Sequence, residues 1–219
     1  MMDSQHAYSM IERGGLVAGM RGNFPPSVAL TIAEILLSEG IPVVELTMNS
    51  TEPIETMQAL KAEFGDAACV GMGTVLDTPT ARRVVHAGAD MVVSPAFSAE
   101  VVDYVQRANV LMIPGVITPS EAVNAWGTGV KLLKIFPVGT LGVDYFSAVR
   151  QPLDHIKFMC NGGTSDANVG AFIKAGAVAC GMAGWLTGDG SMPLETIRQR
   201  ARTLRRIVDE TRETSGVVS

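Results

Sequence analysis

A short apolar run returns eight times along this 219-residue chain, at 16–20, 43–47, 68–71, 91–93, 110–113, 132–135, 156–160 and 178–182. Each run is followed by a turn of Gly, Pro, Ser, Thr or Asn and, in most cases, by a stretch with helical apolar spacing. The helical stretches are 27–38, 52–64, 80–86, 99–107, 120–126 and 166–174, and they stop at or near Gly40, Gly65, Gly88, Asn109, Gly127 and Gly176. Asp77, Thr78, Thr118 and Ser165 suit N-caps, and Pro79 and Pro119 suit a first helical position. Strands that are apolar throughout and joined by helices predict a parallel sheet covered on both faces. Eight of them predict a closed (β/α)8 TIM barrel. An open doubly wound sheet would gather its ligand-binding residues at one switch point, whereas here polar residues recur after nearly every strand.

Residues 1–13 read as a helix covering the bottom of the barrel, and the charged, amphipathic segment 193–210 as an added helix on its surface. The whole of 1–219 is expected to form one domain. Hydrophobic residues make up 47% and charged residues 18%, with a formal charge of -5. The chain lacks the basic footprint of a nucleic-acid binder and any apolar stretch of membrane-spanning length. Its first residues lack the pattern of a secretory signal, so a cytoplasmic protein is expected. Cys69, Cys160 and Cys180 are odd in number and lack metal-ligand spacing, which points to buried thiols in a reducing compartment. The three histidines form no cluster.

A barrel gathers its chemistry where its strands end. The sixth run, Leu132-Leu133-Lys134-Ile135, carries a lysine at its carboxyl end. An ammonium held in an apolar site can lose its proton near neutral pH and act as an amine nucleophile, the basis of Schiff-base chemistry. In Val43-Val44-Glu45-Leu46-Thr47, alternation puts Val43, Glu45 and Thr47 on one face. A carboxylate facing a barrel interior needs a partner or a proton, so Glu45 is a candidate acid-base group with Lys134 as its neighbour. A structural ion pair is the plainer reading of the same two residues. Lys131 is the competing amine, and its odd separation from Lys134 places it on the other strand face. Arg21, after the first strand, can pair with a carboxylate or phosphate or form a rim ion pair. Thr74 can offer a hydroxyl to a small carboxylate or cap a helix. Pro114 would shape the pocket wall, and Phe136 would pack beside a substrate or fill the rim. The turns Asn161-Gly162-Gly163-Thr164 and Gly181-Met182-Ala183-Gly184 follow the last two strands, where released backbone N–H groups can hold a phosphate.

Taken in order, Val44-Glu45-Leu46-Thr47, Gly71-Met72-Gly73-Thr74-Val75-Leu76, Ile113-Pro114-Gly115-Val116, Leu133-Lys134-Ile135-Phe136-Pro137 and Gly162-Gly163 resemble the 2-keto-3-deoxy-6-phosphogluconate (KDPG) and 4-hydroxy-2-oxoglutarate (KHG) aldolases. These are class I aldolases on a (β/α)8 barrel, and the likeness runs from about residue 15 to 186. It implies that Lys134 forms the Schiff base and Glu45 moves protons. It also implies that Arg21 and Thr74 meet the pyruvate-derived carboxylate, and that the phosphate lies near Gly162, Gly163 and the loop holding Gly184. A homotrimer is the common assembly of the family. Asn49 stands where the phosphogluconate branch often has an arginine, and Met48-Asn49-Ser50 with Arg21-Gly22 looks more like the phosphogalactonate branch. Gly184 stands where a serine is often found.

The expected activity is cleavage of a 2-keto-3-deoxy-6-phospho sugar acid to pyruvate and glyceraldehyde 3-phosphate, without metal or organic cofactor. The alternatives are an aldolase for unphosphorylated acids such as 4-hydroxy-2-oxoglutarate and a non-catalytic barrel that binds a phosphometabolite.

Overall fold

The computed structural model describes residues 2–214. Strands β1 (Leu16–Met20), β2 (Val43–Thr47), β3 (Cys69–Gly73), β4 (Met91–Val93), β5 (Leu111–Ile113), β6 (Gly115–Val116), β7 (Leu133–Ile135), β8 (Phe158–Asn161) and β9 (Ala179–Met182) are all parallel. Their order is β5-β4-β3-β2-β1-β9-β8-β7-β6. Only Pro114 separates β5 from β6. The Ser94 N–H donates to Ile113 O on one side, and Lys134 N–H donates to Pro114 O on the other. The two pieces therefore act as one strand that closes an eight-position barrel, as the eight apolar runs predict.

Helices α2 (Pro26–Ser38), α3 (Pro53–Phe64), α4 (Thr78–His86), α5 (Ala99–Arg107) and α6 (Pro119–Trp126) fall where the apolar spacing places them. Asp77 and Thr118 cap α4 and α6, the latter through a capping box in which the Glu121 carboxylate accepts from the Thr118 N–H. Helix α7 (Val138–Arg150) has no counterpart among the expected helices; its N-terminal turn carries Gly139 and kinks at Gly142. Helix α8 (Val169–Lys174) starts three residues later than the expected 166, and the four-residue α9 (Gly184–Thr187) was also not expected. Helix α10 (Leu194–Thr214) runs past the expected end at 210 and packs across α8, α2 and α9.

Alternate residues on each strand face inward, and they divide by height. The lower interior is an apolar plug in which Val17, Val43, Cys69, Met91, Leu111, Leu132, Met159 and Ala179 pack against Ala7, Met10 and Ile11 of α1 (Ser4–Gly14). Helix α1 thus closes the bottom of the barrel. Lys131, expected on the face away from Lys134, is half-buried outside the cavity and donates to Gln5 Oε1 (2.8 Å) in α1. The fully buried Asp90 accepts from Met2 N (3.0 Å), Val70 N (3.1 Å) and Lys61 Nζ, tying the chain start to the barrel floor. Outward-facing residues form the larger core between sheet and helices.

Candidate active site

One step above the plug, Val93 and Ile113 keep one side of the interior aliphatic and three other inward positions are polar. They are Glu45 on β2, Lys134 on β7 and Asn161 on β8, each less than one-tenth exposed. Each has glycine beside it across the sheet. Glu45 pairs with Gly19 and Gly71, Lys134 with Gly115, and Asn161 with Gly181. The missing side chains leave room for the long polar ones. A Cβ on Gly181 would overlap Asn161 Nδ2, and one on Gly73 would overlap Glu45 Oε1.

Lys134 Nζ lies 4.0 Å from Glu45 Oε1. It also lies 5.1 Å from the centre of the Phe136 ring, whose face favours a positive charge. Asn161 Oδ1 is buried and accepts no hydrogen bond. A buried acceptor left unpaired costs about 1–3 kcal/mol in a closed interior, and this one belongs to a residue of the cavity wall.

These residues line a cavity of about 310 Å3 at the carboxyl ends of the strands, within the range of small-ligand sites. Arg21, Phe136, Gly162, Gly163 and Gly184 share the lining with Glu45 and Lys134; Thr74 and Pro114 do not. Thr74 follows Gly73 with a positive φ of 60°, and Pro114 is buried behind Lys134 with its carbonyl on the Lys134 N–H. A larger cavity of about 870 Å3 lies at the opposite end, among α1, α2 and α10, and contains none of these residues. The polar trio and the barrel's chemistry-bearing face favour the smaller one.

The rim is pinned by hydroxyls. Thr164 Oγ1 donates to Gly181 O (2.6 Å), and Thr187 Oγ1 donates to Gly19 O (2.6 Å), fastening the loops after β8 and β9 to strand ends. Gly162 and Gly163 have φ of 82° and 83°, a region open to glycine, and the Gly139 N–H donates to Gly162 O (2.7 Å). The Thr47 and Ser50 hydroxyls are 2.9 Å apart, and Ser50 Oγ accepts from Gly22 N (3.1 Å), setting the turn after Arg21. Arg21 itself is exposed and, among the described residues, makes no hydrogen bond or ion pair.

The sequence reading missed Asn161 as a side chain, and it missed Trp185, which also lines the cavity. Alternation from Met159 would have turned Asn161 inward. Among the described residues no cluster of three or more His, Cys, Asp or Glu side chains is placed to hold a metal, and no helix is long and apolar enough to cross a membrane. The three cysteines are free and buried. Burial pushes the Cys69 and Cys160 thiols up, away from thiolate chemistry.

The family described as KDPG and KHG aldolase matches residues 26–199. The 2-dehydro-3-deoxy-6-phosphogalactonate aldolase of Escherichia coli (strain K12) is 29% identical over 187 residues, covering 85% of this chain and 91% of its own. The solved "Native KDPGal structure" superposes with a TM-score of 0.86 at 28% identity, over 90% of this chain and 96% of that one. A cube-shaped protein cage designed by fusing symmetric oligomeric domains superposes with the same TM-score at 27% identity, over 93% of this chain and 75% of that one. With the barrel and the paired lysine and glutamate at its carboxyl face, the match across most of the chain has one reading: the protein belongs to the KDPG and KHG aldolase family and is a carbon–carbon lyase, a class I aldolase.

Proposed function

We propose that the chain, as one domain, cleaves a 2-keto-3-deoxy-6-phospho sugar acid of the phosphogalactonate or phosphogluconate type to pyruvate and glyceraldehyde 3-phosphate. The observation that carries this is the buried Glu45–Lys134 pair, 4.0 Å apart at the floor of the cavity. The unprotonated Lys134 amine adds to the C2 carbonyl. The carbinolamine loses water with Glu45 as proton donor and leaves a cationic imine facing the Phe136 ring. Glu45, directly or through a water, then takes the proton of the C4 hydroxyl. The C3–C4 bond breaks, its electron pair moves into the imine, and the aldehyde leaves. The enamine is protonated at C3, and water releases pyruvate and restores the amine.

Arg21 and Thr74 receive the substrate carboxylate in this reading, Thr74 by a turn of its side chain toward the mouth and Pro114 as backing for Lys134. The backbone N–H groups near Gly162, Gly163 and Gly184 receive the phosphate. Asn161 Oδ1 accepts from a substrate hydroxyl between the two ends. No metal or organic cofactor enters these steps. Similarity to phosphogalactonate aldolases and Asn49 at the rim support the galactonate epimer. The likeness to a designed cage's symmetric oligomeric domains, with the exposed apolar Leu76 and Val123, supports a homotrimer. Three buried free thiols support a cytoplasmic location.

Borohydride added with pyruvate should reduce the imine and leave a covalent adduct on Lys134, found by peptide mass spectrometry. An active sample that stays unmodified at Lys134 would overturn the reading. One observation favours a second substrate class. Gly184 brings no hydroxyl to the phosphate end, which favours unphosphorylated 4-hydroxy-2-oxo acids such as 4-hydroxy-2-oxoglutarate. Comparing kcat/KM for acids with and without phosphate separates the two.

A further inference from the structure

We infer that Arg200, on the C-terminal helix, is a positioning residue for the cavity: it fixes Trp185 and so sets the wall that Gly184 and Trp185 give to the site. This rests on the reading of that cavity as the aldol site.

Helix α10 carries six arginines, and five of them are engaged along the helix or with the elements beneath it. Arg198 and Arg202 grip Glu39 at the end of α2, Arg205 and Arg206 pair with Asp209 and Glu210, and Arg212 donates to carbonyls of Arg13, Glu12 and Val178. Arg200 differs. Like Arg212 it has no carboxylate partner among the described residues, but its guanidinium turns to the loops above the barrel. Its Nη1 donates to Trp185 O and lies 3.6 Å from Met192 Sδ, while its Cζ sits 4.9 Å over the Trp185 ring. A planar cation that stacks on an indole and holds the same residue's carbonyl fixes both ring and backbone.

Trp185 needs such a hold. It stands in α9, a single four-residue turn, and turns of that length do not persist without tertiary support. Beside it, Leu186 is buried in the core and Thr187 Oγ1 donates to Gly19 O, but neither fixes the outer face of the Trp185 ring. Through Met192, Arg200 also bears on the loop at Gly188, whose next residue accepts from Asn23 N (Asp189 O, 2.8 Å) beside the Arg21 turn. One side chain thus braces two parts of the rim, and its own charge is not needed for bond cleavage.

The test uses the full chain with Arg200→Met and Arg200→Lys, each also in a Trp126→Phe background, so that Trp185 is the remaining tryptophan of two. For Arg200→Met, KM for the acid that the wild type cleaves should rise about tenfold with kcat within about twofold. Trp185 emission should change, and Arg200→Lys should recover part of both effects, because a cation returns without the planar fork. An unchanged KM, an equal fall in kcat, or unchanged Trp185 emission in either variant would overturn the inference. Should Arg200→Met not fold, Arg200→Lys alone decides by the same two readouts. A wild type that cleaves only unphosphorylated acids would overturn the phosphate reading and leave the Arg200 test intact on those acids. A wild type that cleaves neither would overturn both.

Discussion

The Glu45 carboxylate occupies the space that a side chain on Gly73 would fill, since a Cβ there would overlap Oε1 and crowd Cδ and Cγ at 2.7 and 2.9 Å. The glycine is therefore part of the site's geometry. Gly73→Ala should push the carboxylate away from Lys134 and lower kcat by about 10²-fold, the scale of a misplacement near 1 Å. Glu45→Gln should lower it by about 10²–10⁴-fold, the range of general acid-base catalysis. Both variants should unfold close to the wild-type temperature: the displaced carboxylate is the free end of a side chain, alanine lowers the entropy of the unfolded chain, and glutamine keeps the shape of glutamate. Steady-state kinetics with thermal melts checks this; wild-type turnover in Gly73→Ala would show that Glu45 need not stand where it does.

Asn161 sets function against stability. Its Oδ1 is buried with no donor from the protein, so Asn161→Ala should melt no lower than the wild type. The same change should lower kcat/KM by about 5- to 150-fold, the equivalent of about 1–3 kcal/mol for one lost buried hydrogen bond. Saturating substrate should protect the wild type from heat more than the variant. A variant that is both less stable and fully active would make Asn161 a packing residue.

Lys134 and Glu45 were legible in the sequence because a strand has a period of two and an apolar strand tolerates few charges. The same rule placed β1, β2 and β4 to the residue. It ended the fifth strand at Ile113, because Pro114 cannot donate to a ladder; the strand resumes at Gly115 since Lys134 needs only the proline's carbonyl. Helix α7 was hidden by Gly139 and Gly142, the first pressed against the Gly162–Gly163 backbone and the second a kink with φ of 85°. Those glycines answer to tertiary contacts that local propensity does not register. Helix α9 is too short to show a period. Asn161 was readable as inward-facing, but its missing partner was not, because satisfaction of a buried amide depends on every neighbour across the barrel.

A Cβ on Gly184 would meet no atom within 4 Å. A serine therefore fits there without strain and would bring a hydroxyl to the loop where the phosphate is proposed to lie. Gly184→Ser should lower KM for a phosphorylated substrate by about two- to tenfold, the equivalent of about 0.5–1.5 kcal/mol for one hydrogen bond, with no change for the unphosphorylated analogue. An equal change for both substrates would place the phosphate elsewhere.

Glu39 makes the attachment of α10 depend on pH. Hydrogen bonds from Arg202 Nε (3.0 Å) and Nη2 (2.8 Å) hold its carboxyl below the usual 4.5; burial opposes them, and the hydrogen bond from Arg198 Nη1 (3.2 Å) adds to them. A carboxyl with a depressed folded-state value binds fewer protons when folded than when unfolded. Its contribution is therefore complete above 4.5 and is lost as the pH falls through the folded value. The melting difference between wild type and Glu39→Gln should be constant at neutral pH, shrink below pH 4.5 and vanish in stronger acid. Hydrogen exchange should show α10 loosening first in that window, since Glu39 joins it to the end of α2. With Arg200 on the same helix bracing Trp185, acid release of α10 should raise KM before the barrel unfolds. A difference that persists unchanged to low pH would mean that the Glu39 carboxylate adds nothing through its charge.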